Sequence, residues 1–144
     1  MDPQKILNLL PFAPPFLFVE ELQEITEDGV RGSHTFNPDS FFYKGHFKDY
    51  PLTPGVILTE CMGQIGVVCL GIFLLRDKDF NDCAVSLSCT SIDFFLPVFP
   101  GEKVEVISEK IYFRFNKLKC AVKMLNGEGK LVCRGEISGM IGKR

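Results

Sequence analysis

Residues 56–75 form an almost unbroken apolar run, and this run constrains the fold more than any other part of the sequence. Glu60 carries its only charge. A helix that is apolar all round must be buried, either in a membrane or inside a protein core. A carboxylate near a membrane centre costs about 2.5–3.5 kcal/mol, and no aromatic belt flanks the run. We therefore predict no membrane span but a buried helix from about Gly55 to Arg76, with Thr53 as its capping residue and Pro54 in its first turn.

Most of the remaining chain is rich in strand-forming residues. Six such stretches, separated by turn signals, cover residues 16–22, 30–36, 84–95, 102–113, 118–125 and 130–141. A short helix over residues 4–10 precedes them, and we expect consecutive strands to pair antiparallel. Only a sheet is large enough to cover the apolar helix. The sequence thus predicts one α+β domain over residues 1–144, with an antiparallel sheet of about six strands wrapped around one long central helix.

Charge and cysteine usage exclude several classes of function. The net charge of −2 and pI near 5.7 provide no field that attracts nucleic acid. The six cysteines contain no C-x-x-C spacing and only two histidines accompany them, so no metal site is predicted. The opening segment, Met1 to Lys5, lacks the pattern of a secretory signal. We therefore expect reduced thiols and a cytoplasmic protein.

Two titratable residues are candidates for acid–base chemistry. His46 lies in an aromatic-rich loop over residues 37–54, and imidazole changes its charge near neutral pH. Glu60 lies one turn into the apolar helix, where a desolvated carboxyl group would keep its proton and suit a proton donor. Each also has a structural explanation. A single histidine is commonly a hydrogen-bonded structural residue, and Glu60 could lie on a narrow exposed stripe with Gln64.

Gly55, Cys61 and His34 also carry groups that could have either a chemical or a structural role. Gly55 begins the helix, where free backbone N–H groups could stabilise the negative charge that develops on a thioester carbonyl, although Pro-Gly is also a common turn. Cys61 has no activating base beside it in the sequence, so we expect inert packing rather than a nucleophile. His34 lies in a strand next to polar residues, and we expect it at the surface or a sheet edge.

Several motifs, in a characteristic order and spacing, indicate a family. They are Leu10-Pro11 with Pro15-Phe16-Leu17-Phe18-Val19-Glu20, Phe41-Phe42-Tyr43-Lys44-Gly45-His46-Phe47, Pro54-Gly55-Val56 with Glu60 and Gln64, and Ile92-Asp93-Phe94-Phe95-Leu96-Pro97-Val98 before Pro100-Gly101. Over most of its length the chain resembles the (3R)-hydroxyacyl-acyl carrier protein dehydratases of type II fatty acid synthesis, the FabZ/FabA group with the hotdog fold.

The resemblance implies a reaction and a set of roles. The reaction is the dehydration of a 3-hydroxyacyl thioester, carried on acyl carrier protein, to a trans-2-enoyl thioester. His46 would be the general base, Glu60 the acid, and the Gly55 N–H the donor to the thioester carbonyl. The two side chains would come from different subunits of a dimer, either a homodimer or a heterodimer with a related subunit, and assembly to a hexamer stays open. No metal or organic cofactor is implied.

Two further sets of residues are candidates for binding. Phe94, Phe95 and Phe99 could form the wall of an apolar slot for the acyl chain, although phenylalanines also fill cores. Because carrier proteins are usually acidic, a basic patch is expected. Arg114, Lys117 and Lys119 cluster at a predicted turn and are candidates for it, but a solvated hairpin tip would look the same.

Departures from the family pattern bear on the pathway. Lys48-Asp49 stands where the family usually has Pro-Gly, and Phe12-Ala13 replaces the usual His-Arg. A specialised role, such as polyene or other lipid synthesis, is therefore as plausible as fatty acid synthesis. Glu rather than Asp at position 60 resembles the branch that only dehydrates. The alternatives are a hotdog acyl thioesterase and a non-catalytic acyl-binding or scaffold subunit.

Overall fold

The computed structural model describes residues 1–79 and 83–143 and contains one antiparallel sheet packed against a long helix. The strands are β1 (Glu21–Thr26), β2 (Gly29–Thr35), β3 (Cys83–Phe94), β4 (Lys103–Arg114), β5 (Lys117–Leu125) and β6 (Leu131–Lys143). They are hydrogen-bonded in the order β1-β2-β4-β5-β6-β3, and neighbouring strands are antiparallel. The predicted α+β class, with six strands around a central helix, is confirmed.

The central helix is α2, which spans Gly55–Leu74, and a short helix, α1 (Pro3–Leu9), precedes the sheet. The middle of α2, Gln64–Cys69, is π-helical, and the flanking turns are α-helical. By length and composition α2 could cross a membrane, but 78% of its most apolar window is buried inside the protein. The prediction of a buried core helix is confirmed.

The π-helical segment of α2 lies directly on the sheet. The Ser108 hydroxyl donates a hydrogen bond of 2.9 Å to the Gly66 carbonyl. A Cβ atom on Gly66 would lie 3.0 Å from side-chain atoms of Ser108 and Val122, so glycine is needed for this close approach. The contact fixes the helix against β4 and β5. Segments of this kind occur frequently at functional sites.

The first strand begins later than predicted. We expected a strand over residues 16–22, whereas β1 begins at Glu21. The backbone of Phe16 and Phe18 bonds to a side chain of α2 rather than to another strand. The Phe18 N–H donates to Gln64 Oε1 over 2.8 Å, and the Phe16 carbonyl accepts from Gln64 Nε2 over 3.1 Å. These two bonds satisfy the Phe18 N–H and the Phe16 carbonyl without a neighbouring strand.

Consecutive pairing fails at β3, which pairs with β6 instead of β4. Residues 95–102 connect β3, at one edge of the sheet, to β4, which lies next to β2. There the Gly101 N–H donates to the Phe36 carbonyl over 2.7 Å, and the Phe36 N–H donates to the Glu102 carbonyl over 3.1 Å. These bonds start β4 beside the end of β2. As a result β3 lies at an edge of the sheet, and among the described strands it is hydrogen-bonded on one side only.

The start of α2 also differs from the prediction. Pro54, not Thr53, is the N-cap residue, and no side chain caps the helix. The Thr53 hydroxyl is instead hydrogen-bonded to the Tyr43 hydroxyl over 2.6 Å, and both residues are buried. The first backbone N–H groups of α2 are therefore left without a side-chain cap.

Candidate active site

The imidazole of His46 is held by a tight loop. Nδ1 lies 3.0 Å from the Leu52 carbonyl, and the Leu52 N–H donates to the His46 carbonyl over 2.7 Å. Because a carbonyl oxygen only accepts hydrogen bonds, Nδ1 carries the proton in the neutral imidazole, and Nε2 carries the lone pair. The ring of Phe47 stacks on the imidazole at a centroid distance of 4.2 Å. This half-buried ring can act as a base through Nε2.

Gly55 is the first residue of α2, as predicted. The first hydrogen bonds of the helix run from Ile57 N and Leu58 N to the Pro54 carbonyl, so the Gly55 N–H precedes the intrahelical ladder. A Cβ on Gly55 would lie 3.2 Å from the ring of Phe94, which is tighter than normal packing. Glycine thus allows the aromatic ring of β3 to lie against the helix start, where the helix dipole favours negative charge.

The carboxyl group of Glu60 is oriented by a buried amide. Gln64 is completely buried, and its Nε2 donates a hydrogen bond of 3.0 Å to Glu60 Oε2. The other bonds of the same amide go to the backbone of Phe16 and Phe18, which fixes its orientation. Glu60 itself is only partly buried. One carboxyl oxygen is therefore held, while the group still reaches a cavity.

Glu60 lines two adjoining cavities. The first, the helix-start cleft, has a volume of about 630 Å³ and joins the N-terminal turns of α2 to β3. Its lining residues are Gly55, Val56, Thr59, Glu60, Leu87, Thr90, Ile92 and Phe94. It brings the Gly55 backbone, the Glu60 carboxyl group and one of the three predicted wall residues, Phe94, to one site.

The second cavity, the inner slot, has a volume of about 110 Å³ and continues from Glu60 along α2. Its lining residues are Phe12, Glu60, Gly63, Val67, Val68, Val85, Ser86, Leu87, Gly139, Met140 and Ile141. Apart from Glu60 and Ser86 the lining is apolar or glycine, which suits a hydrocarbon chain. Phe12, one of the departures from the family pattern, lies in this lining.

The other two predicted wall residues lie elsewhere. Phe95 is exposed, with the Arg134 guanidinium 5.8 Å from its ring centroid. Phe99 is also exposed and contacts the Tyr50 ring edge-on at a centroid distance of 6.1 Å. Neither residue lines the helix-start cleft or the inner slot. Their position after the end of β3 separates them from these cavities.

The structure does not bring His46 and Glu60 into one cavity within this chain. His46 lines neither of the cavities that Glu60 lines. The helix-start cleft is open, and Val56 on its rim is 77% exposed although it is apolar. Leu87 and Phe94 on the adjoining edge strand are each about half exposed. The cleft therefore has an apolar rim without a partner in the described part of the chain.

The three candidate carrier-binding residues do lie together. Arg114 and Lys117 face each other across the β4–β5 hairpin, and Lys119 follows on the same face of β5. The Arg114 guanidinium lies 4.4 Å from the Tyr112 ring centroid, and Lys119 forms a 3.3 Å ion pair with Glu136. The patch is thus a hairpin-tip surface with one of its cations already paired.

Cys61 and His34, for which no function was predicted from the sequence, are both removed from solvent to different extents. Cys61 is fully buried, its thiol donates to the Phe18 carbonyl over 3.3 Å, and burial raises its pKa, so it is not a nucleophile. The prediction that His34 lies at the surface or an edge is wrong. His34 is half-buried on the interior strand β2, between the rings of Phe18 and Phe36. Burial lowers its pKa, with a smaller opposing effect of Glu20.

Gln64 is a residue whose role was not predicted from the sequence. Its position four residues after Glu60 was a usable signal, because such residues are neighbours on a helix. What the spacing could not show is that the amide is buried against the segment before β1. A similar case is Thr59, which lines the helix-start cleft and donates its hydroxyl hydrogen to the Gly55 carbonyl over 3.0 Å.

The family model of the FabA-like domain matches residues 10–137. The 3-hydroxyacyl-acyl-carrier-protein dehydratase FabZ of Bacillus licheniformis is 31% identical over 148 residues, which cover 100% of this chain and 98% of the relative. FabZ of Clostridium perfringens is 32% identical over 146 residues, covering 99% of each chain.

The solved structures show the same fold at low sequence identity. The dehydratase heterocomplex ApeI:P from Xenorhabdus doucetiae matches with a TM-score of 0.81 and 12% identity, covering 100% of this chain and 93% of that chain. A hypothetical thioesterase from Streptococcus pneumoniae, solved with coenzyme A, matches with a TM-score of 0.64 and 14% identity over 86% of each chain. The hotdog fold expected from the sequence is confirmed.

Proposed function

The chain belongs to the family of FabA-like domains, and from this membership we propose that it dehydrates 3-hydroxyacyl thioesters of acyl carrier protein to trans-2-enoyl thioesters. The observation that carries the proposal is the Glu60 carboxyl group, which Gln64 orients at the junction of an open cleft and an apolar slot. One carboxyl oxygen is held by this bond, and the group still reaches both cavities, where it can exchange a proton with a bound substrate.

The proposed mechanism is an elimination of water. Nε2 of His46 removes the proton from C2, and the electron pair of that bond forms the C2–C3 double bond. The bond from C3 to the hydroxyl oxygen breaks, and Glu60 donates its proton so that the oxygen leaves as water. The Gly55 N–H, at the positive end of α2, stabilises the negative charge that develops on the thioester oxygen. The reverse reaction, hydration of the enoyl thioester, uses the same groups.

The site requires a second subunit. His46 lines neither cavity of Glu60 in its own chain, so the base would come from a partner. The edge strand β3 spans 12 residues and is hydrogen-bonded on one side only, so it can pair with the same strand of a second copy or of a related subunit. Such pairing would cover the exposed Val56, Leu87 and Phe94 and close the cleft. Further assembly to a hexamer stays open.

The remaining assignments concern the substrate, the pathway and the location. The acyl chain would lie in the inner slot, with Phe94 beside the thioester and Phe12 at the apolar wall. The pathway would be fatty acid synthesis or the synthesis of a polyene or related lipid, in the cytoplasm. Lys48-Asp49, close to His46, and Phe12 depart from the usual pattern, which makes a specialised substrate as plausible as one of fatty acid synthesis.

An assay that separates water loss from thiol release tests the proposal. The purified protein is incubated with a 3-hydroxyacyl carrier-protein thioester, and the enoyl product and the free carrier thiol are both followed. We expect enoyl product without thiol release, and near-background rates in His46→Ala and Glu60→Gln, because each proton-transfer group is worth about 10²–10⁴-fold in rate. Thiol release would indicate the thioesterase instead, and no turnover of any 3-hydroxyacyl thioester would indicate a scaffold subunit.

A further inference from the structure

Phe115 is the most exposed large apolar side chain that the structure describes. It is 92% exposed at the tip of the β4–β5 hairpin. Its ring contributes nothing to the core, and a single exposed phenylalanine needs no explanation by itself. The conformation of its backbone supplies a second and independent observation.

The backbone at Phe115 is unfavourable for the residue that occupies it. Phe115 and Asn116 have φ values of 52° and 62°, the only positive values of non-glycine residues in the described chain. A two-residue hairpin turn with positive φ at both residues favours asparagine or glycine at these positions. Asparagine tolerates positive φ, whereas a bulky residue there is an outlier. Phenylalanine is thus both strained and exposed, which points to a role outside folding.

Positive charge surrounds the exposed ring. Arg114 and Lys117 flank it as a directly opposed pair on the two strands. In the part of the chain that the structure describes, neither cation forms an ion pair with a carboxylate, unlike Lys119, which pairs with Glu136. The surface is therefore an aromatic ring flanked by two cations without carboxylate partners, of which Arg114 also lies over the Tyr112 ring. It matches a partner that has an apolar depression among acidic groups.

The hairpin tip is connected to the candidate active site. The Asn116 carbonyl accepts a hydrogen bond of 2.9 Å from the Ile141 N–H, and Lys117 lies opposite Met140. Met140 and Ile141 line the inner slot, which extends to Glu60. A protein bound at the tip would therefore be next to the cavity in which we place the substrate.

These observations, together with the proposed function on which they rest, identify one occupant. We infer that Phe115 is the anchor by which this chain binds its acidic acyl carrier protein, with Arg114 and Lys117 facing the carboxylates of the carrier. The ring enters an apolar depression of the carrier and is buried only in the complex. The strain at Phe115 is retained because a residue suited to the turn would lack this contact.

The test uses the full chain and the variant Phe115→Asn, which places a residue suited to the turn at position 115. Phe115→Tyr keeps an aromatic ring, and Lys130→Ala removes a cation from a different hairpin, β5–β6, as a control. The dissociation constant for acyl carrier protein is measured by titration. KM is measured for a carrier-bound 3-hydroxyacyl thioester and for the same acyl group on N-acetylcysteamine, which lacks the carrier.

We expect Phe115→Asn to weaken carrier binding and raise KM for the carrier-bound substrate by about tenfold. Its KM for the small thioester and its melting temperature should not be worse than those of the parent. Phe115→Tyr and Lys130→Ala should bind the carrier like the parent. Parent-like carrier binding by Phe115→Asn, including the case in which only its binding to anionic lipid vesicles is lost, would overturn the inference. Carrier binding that depends on Phe115 without any dehydration would refute the proposed function alone.

Discussion

Gln64 Nε2 donates a hydrogen bond to Glu60 Oε2 across 3.0 Å, from a position that is completely buried. The amide oxygen of Gln64 is occupied by the Phe18 N–H, so the amide cannot rotate without breaking a second bond. The segment that precedes β1 thus fixes the Gln64 amide, and the amide fixes the Glu60 carboxyl group. In the proposed mechanism Gln64 is a positioning residue, since it would act on the substrate only through Glu60.

Gln64→Met should test this positioning role. Methionine keeps the volume but removes the bonds to Glu60 and to the backbone of Phe18 and Phe16. We expect kcat to fall by about 10-fold to 100-fold with a small change in KM, because Glu60 loses its orientation. The unpaired Phe18 N–H should lower the free energy of unfolding by about 1–3 kcal/mol.

The matched control is Gln23→Met, which removes a glutamine bond to the Ser33 hydroxyl on the β1–β2 pair. It should leave kcat unchanged. Parent-like kcat in Gln64→Met, measured at a temperature where that variant is folded, would remove Gln64 from the account.

Val56→Asp should separate subunits without harming the helix. An acidic residue in the first turn of a helix is favourable, so α2 itself should not be destabilised. At the exposed rim of the helix-start cleft, however, the charge would be buried by a partner. We expect light scattering to show monomers and the dehydration rate to approach background.

Ile111→Asp provides the comparison, because Ile111 is 46% exposed at the bulge in β4, away from the β3 edge. That variant should remain dimeric. A dimeric and active Val56→Asp protein would show that the cleft is not at a subunit interface.

Gly55→Ala should disturb the site through Phe94. The added Cβ would lie 3.2 Å from the Phe94 ring, so the ring or the helix start must shift by a few tenths of an ångström. We expect a lower kcat with a nearly unchanged melting temperature. The double variant Gly55→Ala with Phe94→Leu should recover part of the loss, and an absence of recovery would mean that Phe94 is not the cause.

His34 should make stability depend on pH. Burial lowers its folded-state pKa below the ordinary value of 6.5, so below that pH the unfolded chain binds more protons than the folded chain. Stability contributed by the neutral ring is therefore present above about pH 6.5 and is lost as the pH falls through the unfolded pKa. Urea unfolding at several pH values should give a steeper acid loss in the parent than in His34→Phe, and equal slopes would contradict this.

The sequence predicted the parts of the fold that depend on local pattern. The apolar run over residues 56–75 and the turn at Asn126 to Gly129 gave α2 and the last hairpin close to their observed bounds. Backbone partners that lie far apart in the sequence were not predicted. The segment at Phe16 looks like a strand because its residues favour strands, but its backbone partner is a side chain 48 residues away. The pairing of β3 with β6 likewise depends on the connection before β4, which no local pattern reveals.

In the candidate site, too, local pattern predicted the residues but not the contacts that orient them. The motif around His46 and the charge inside an apolar helix at Glu60 were visible in the sequence. The orientation of each was not, since it comes from the Leu52 carbonyl and from the buried Gln64 amide. Phe95 lies outside the cleft because adjacent residues in an extended segment point to opposite sides, and Phe94 is the one that faces the cleft.

Subunit complementation tests the central claim most directly. His46→Ala and Glu60→Gln proteins, each near background alone, are unfolded, mixed in equal amounts and refolded so that subunits exchange. If each site takes its base from one subunit and its acid from the other, about half of the dimers are mixed and each contains one intact site, which restores about a quarter of the parent rate. Activity that stays at background after verified exchange would contradict a site shared between subunits.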